Sequence, residues 1–165
     1  MNEKRPTTTA SPIAGTPTVT NSTLASATGT ASGLAPVLDS LTIAAERVPD
    51  FYQRAMARYF ELCPDSRSLM SHTDEYIQGR MMEQVVSLFM ENDLEALDSY
   101  FAFEATNHHS YGAEPQMYRH LFEACLDVVV TANAQDWNDT AAAAWQTQID
   151  RLLGCMLKHL PSSPR

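Results

Sequence analysis

Apolar side chains recur at helical spacing through most of this chain, and no segment shows a sustained two-residue alternation. Val37, Leu38, Leu41, Ala44, Ala45 and Val48 form one stripe, interrupted at Pro49. Phe51, Tyr52, Ala55, Met56, Tyr59 and Phe60 form a second, which ends before Pro64 because a proline ring cannot continue a helix. Ile77, Met81, Met82, Val85, Val86 and Phe89 form a third and most strongly periodic stripe. Leu94, Leu97 and Phe101 mark a shorter helix, predicted to stop near Gly112 because glycine suits a helix C-terminus. Pro115 fits the first turn of the next helix, whose stripe is Tyr118, Leu121, Phe122, Cys125 and Val129. A last helix follows the cap-forming Asn138-Asp139-Thr140, with Trp145, Ile149, Leu152, Leu153 and Met156 on one face. The predicted fold class is all-α, with six or seven helices and short connections.

Composition divides the chain ahead of these stripes. Residues 1–34 are mostly Thr, Ser, Ala, Gly and Pro, too poor in large apolar groups to offset the entropy of ordering, and are expected to form a disordered leader. The helical domain is expected over 35–160, with a short tail at 161–165. A 165-residue chain that is 44% hydrophobic suits one domain with a packed core. Its net charge of −9 sets it against nucleic-acid partners. The longest apolar runs, such as Ala141 to Trp145, fall far short of the roughly 20 residues that cross a bilayer. No apolar stretch follows Lys4 and Arg5, so no secretory signal is expected and the expected location is cytoplasmic. Cys63, Cys125 and Cys155 are odd in number and widely spaced, and read as buried reduced thiols.

The segment His108-His109-Ser110-Tyr111-Gly112-Ala113-Glu114-Pro115-Gln116-Met117-Tyr118 carries more information than the helix order. It resembles the proximal segment of bacterial single-domain haemoglobins and of the globin domain of flavohaemoglobins. In those proteins a helix-borne His is followed by an aromatic corner, a Pro that opens the next helix and a Tyr on that helix. Gln78-Gly79-Arg80-Met81-Met82 resembles the distal helix of the same family, Arg58 to Pro64 the end of its second helix, and Trp137 and Ala144-Trp145 the start of its last. The resemblance spans about residues 36–158 and implies a globin fold binding haem b.

On that resemblance, His108 is the iron ligand, with His109 as the competitor that a one-residue slip would present. The implied haem contacts are Gln78, Met82, Met70, Met56, Tyr111 and Tyr118 besides His108. Gln78 is the distal hydrogen-bond donor and Arg80 the alternative, while Met82 and Val85 keep water from the iron. Counting from Pro64 puts Met70 where the family stacks a Phe on the haem. The same count puts Met56 at the distal position of the second helix, with Tyr52 and Tyr59 on either side. Glu104 stands one turn before His108, where an apolar contact is expected, and Met156 to Leu160 lacks the acid that flavohaemoglobins place behind the proximal His. His72, His120 and His159 read as surface residues.

The function implied is reversible binding of oxygen or nitric oxide. The alternative is a globin-fold sensor or interaction module that has lost haem. Turnover as a nitric oxide dioxygenase would need an external reductase, because the chain reaches Arg165 without a flavin domain. No nucleophile motif, phosphate-binding Gly loop or paired-carboxylate motif points to an enzyme of another kind.

Overall fold

The protein is described here by a computed structural model covering residues 27–160, with side chains from residue 33. Among the described residues there are seven α-helices, one 3₁₀ helix and no strand. The helices are α1 (Ala27–Arg47), α2 (Phe51–Leu62), α3 (Pro64–Leu69), α4 (Glu75–Phe89), α5 (Asp98–Ser110), α6 (Pro115–Ala132) and α7 (Asp139–Lys158). The all-α class and the helix number agree with the periodicity of the sequence, and no described helix is long and apolar enough to cross a membrane.

Local chemistry sets most boundaries. Pro64 and Pro115 occupy first turns, where the missing amide costs nothing. Asp74 Oδ1 accepts from the Ile77 amide at 2.8 Å, and Asn138 Oδ1 accepts from the Ala141 amide at 3.0 Å, closing the N-termini of α4 and α7. At the other end of α5, Gly112 takes φ +91°. The Ala113 amide there donates to His108 O and the Gly112 amide to His109 O, both at 3.0 Å, forming a Schellman stop.

Two expectations about boundaries are corrected. Helix α1 begins at Ala27, inside the stretch expected to be leader, and carries Pro36 in its interior. Leu34 is already buried upstream of that proline, so packing offsets the hydrogen bond that Pro36 cannot make. The rest of the expected leader and the tail lie outside the described residues. Leu94–Leu97 forms a 3₁₀ turn rather than the start of α5, capped by Asp93 Oδ1 accepting from the Ala96 amide at 3.2 Å.

The core joins α1, α2, α4, α6 and α7. Phe89 sits edge-on to Trp145 at 4.8 Å and to Phe122 at 5.4 Å, and Phe89 and Trp145 are fully buried. A polar cluster crosses the same core. Trp145 Nε1 donates to Ser40 Oγ at 2.8 Å, Ser40 Oγ donates to Val37 O at 2.9 Å, and Asn133 Nδ2 donates to Ser40 O at 3.0 Å and Val129 O at 2.8 Å. Cys63 and Cys125 are buried, Cys155 is half-buried, and all three are free. Helices α4 and α5 each pack on α7 but make no extensive contact with one another. Space is therefore left between them.

Replacing Ser40 by Ala leaves the buried Trp145 N–H without an acceptor. It is expected to cost about 1–3 kcal/mol, seen as a lower urea midpoint with an unchanged slope. A midpoint equal to the wild type would show that the cluster does not tie α1 to α7.

Candidate functional site

The space between α4 and α5 is a cavity of about 410 Å³. Helix α4 contributes Ile77, Arg80, Met81, Gln84, Val85 and Leu88, a three-and-four spacing that defines one helical face. Opposite it, α5 contributes Tyr100, Glu104 and His108, one side chain per turn. Met70 precedes α4 on the wall, Tyr59 comes from α2, Tyr118 and Phe122 from α6, and Met156 from α7. The lining is largely apolar, and the volume lies in the range of roughly 300–1,000 Å³ common for sites of small molecules and cofactors.

His108 is placed on this wall, and His109 is exposed and absent from it. The Schellman stop bonds to the carbonyls of both residues and so fixes the last turn of α5, where His108 lines the cavity with its side chain 36% exposed. His108 Nδ1 is buried without a hydrogen-bond partner. Glu104 Oε2 lies 3.7 Å from it, an ion-pair distance beyond hydrogen-bond reach. Met70 and Tyr118 also line the cavity, and both are buried.

Four expected haem contacts are elsewhere. Gln78 faces a separate cleft of about 290 Å³ shared with Met56 and Tyr52, and its amide donates to Thr73 Oγ1 at 3.2 Å and Thr73 O at 3.4 Å. Met82 is fully buried in the core. Tyr111 is 61% exposed, its ring 6.4 Å from that of His72. The cause for Gln78 and Met82 is helical phase. Each residue turns α4 by about 100°, so Gln78 lies at the edge of the cavity face, about 20° beyond Val85 and with its amide on Thr73, and Met82 lies about 40° further round, in the core. The same phase effect on α2 brings in Tyr59 in place of Met56.

Arg80 and Gln84 are the polar side chains that α4 brings to the cavity, and the Arg80 guanidinium, on a side chain 66% exposed, is paired with Glu83. Tyr100 was not anticipated, although its spacing of two helical turns before His108 places it on the same face. Two of the histidines expected at the surface are half-buried. His120 has a buried Nδ1 without a partner, and His159 Nε2 lies 2.8 Å from Asp98 Oδ1, which also pairs with Lys158 Nζ at 2.7 Å. His72 is exposed.

His108 is the one imidazole among the residues that line the cavity. Among the described residues no group of three or more His, Cys, Asp or Glu is arranged to hold a metal ion. A haem here would have to be held through His108 alone, and the fit is partial: the apolar lining suits a porphyrin, whereas the Glu104 carboxylate on the same wall does not.

The tyrosines report on the same enclosure. Burial pushes Tyr59, Tyr100 and Tyr118 up to about 12, and the Glu104 charge adds to the rise at Tyr100 and Tyr118. A phenol held neutral by the fold binds its proton more tightly folded than unfolded. Its stabilising contribution is complete below pH 10 and is lost as the pH rises from about 10 to about 12. An ultraviolet titration of the six tyrosines is expected to show a late-ionising group, with stability falling over that window. Uniform ionisation near pH 10 would mean that the cavity is open to water. No protein-family model and no curated protein matches the chain.

Proposed function

We propose that this chain is a globin-type haem protein that holds haem b through His108 and binds oxygen or nitric oxide reversibly. The observation that carries this reading is the position of His108 on α5, across a half-open, largely apolar cavity from α4, with α6 and α7 also lining it. A bound haem would supply an iron centre able to ligate a diatomic gas reversibly. His108 would act as the neutral nitrogen donor. Met70, Val85, Leu88 and Phe122 make the interior apolar, and Tyr59 and Tyr118 line it from α2 and α6. Arg80, the alternative donor, is the α4 cation at the cavity, and to serve a bound gas it would have to leave its pairing with Glu83.

Glu104 favours a second reading, a globin-type sensor or interaction module that takes an apolar ligand other than haem. A carboxylate on the wall is a poor neighbour for a porphyrin face.

Titration of the full chain with hemin separates the two. The first reading expects a one-to-one Soret band that shifts on reduction and addition of carbon monoxide, and His108→Ala is expected to lower haem affinity at least tenfold, roughly. A wild-type chain that melts as a folded helical protein but gains neither Soret band nor thermal stability from hemin would overturn the haem reading.

A further inference from the structure

The cavity between α4 and α5 carries two permanently charged side chains, Arg80 and Glu104, and only one of them is neutralised. Arg80 is paired with Glu83. Glu104 has no Lys or Arg partner among the described residues. Its nearest ionisable neighbour is His108, whose Nδ1 stands 3.7 Å from Oε2, beyond hydrogen-bond reach. The Glu104 side chain is only 23% exposed, so it has lost much of its water without gaining a counter-charge. Around it the wall is aromatic. Tyr100 stands one turn before it on α5, and Tyr59, Tyr76, Tyr118 and Phe122 line the same cavity from α2, α4 and α6. Ring faces attract a cation, most strongly where water is scarce.

We propose that this cavity takes an apolar molecule ending in a protonated primary amine, an alkyl- or arylalkylammonium, with the ammonium on Glu104 and the hydrocarbon along α4. The inference rests on the second reading above, an apolar ligand other than haem, and names the chemistry of that ligand. The lining follows α4 from Ile77 to Leu88, about 16 Å of helix, which leaves length for a chain of several carbons. Tyr76 and Ile77 at one end of this line are exposed and Leu88 at the other is buried, so the cavity is open at one end and apolar at the other. Desolvating an ammonium is costly, but the half-open wall lets the head group keep part of its water while the tail is buried. The chain's net charge of −9 draws cations toward the mouth and repels carboxylates. The side chain that suits a porphyrin least is thus the one that selects this ligand.

The test uses the full chain and three probes that share one tail and differ in head group: n-octylammonium, n-octanol and n-octanoate, titrated by calorimetry near neutral pH. Octylammonium is expected to bind at least about tenfold tighter than octanol, with octanoate weakest. Glu104→Gln is expected to bring octylammonium down to the affinity of octanol and to leave octanol unchanged. Methionine methyl spectra locate the probe. The signals of Met81 and Met156 on the cavity wall are expected to shift, and that of Met90, in a separate groove beside α1, to stay. Equal affinities for the three probes, or octanoate the tightest, would overturn the inference and leave the reading of an apolar ligand standing. So would an ammonium preference that survives in a folded Glu104→Gln chain, or a shift confined to Met90. Failure of all three probes to bind would remove that reading as well.

Discussion

The rotation of α4 about its own axis decides what the cavity is made of. One end of the helix is set by Asp74, whose carboxylate caps the Ile77 amide. The other end is gripped by α7, where Gln148 Nε2 donates to Phe89 O at 3.2 Å and to Glu91 O at 2.9 Å. Arg151 continues the clamp through Gln148 Oε1 at 2.8 Å and Asn92 O at 2.7 Å. Between these ends Met82 and Phe89 are wholly buried, so a turn of α4 by one residue would bring a polar side chain into the core. With that phase held, Arg80, Gln84 and Leu88 must face α5 and Gln78 must face away.

The opposite wall is built by different means. Helix α5 rests on α7 and ends at Gly112, where the positive φ lets the chain turn back at once into α6. His108 is thereby fixed near the helix end while Glu104 and Tyr100 extend the same line of side chains. The unpaired buried polar atoms of the cavity wall fall on this side, at His108 Nδ1 and the Tyr118 hydroxyl.

The helices and their caps were largely legible in the sequence because the signals are local. Pro64, Pro115, Asn138 and Gly112 act within a turn of their own positions. His108 was legible for the same reason, since its surrounding block lies within one connected segment. The distal side was not. Placing Gln78 and Met56 required carrying the phase of α2 through α3 and the turns before Asp74, and an error of one or two residues there moves a side chain by 100° or 200°. The start of α1 was missed because composition alone gives small residues no reason to fold. Burial of Leu34 against distant helices provides one. The clamp by Gln148 and the Ser40–Asn133–Trp145 cluster join residues some 60 to 105 positions apart, and no local pattern announces them.

The central claim is that His108 anchors the ligand of this cavity. Cavity rescue tests it most directly. His108→Gly, mixed with hemin, is expected to lack the wild-type spectrum and to regain it when free imidazole fills the vacated position, while His109→Gly needs no rescue. A His108→Gly protein that keeps the wild-type spectrum without imidazole, or a His109→Gly protein that loses it, would contradict the account.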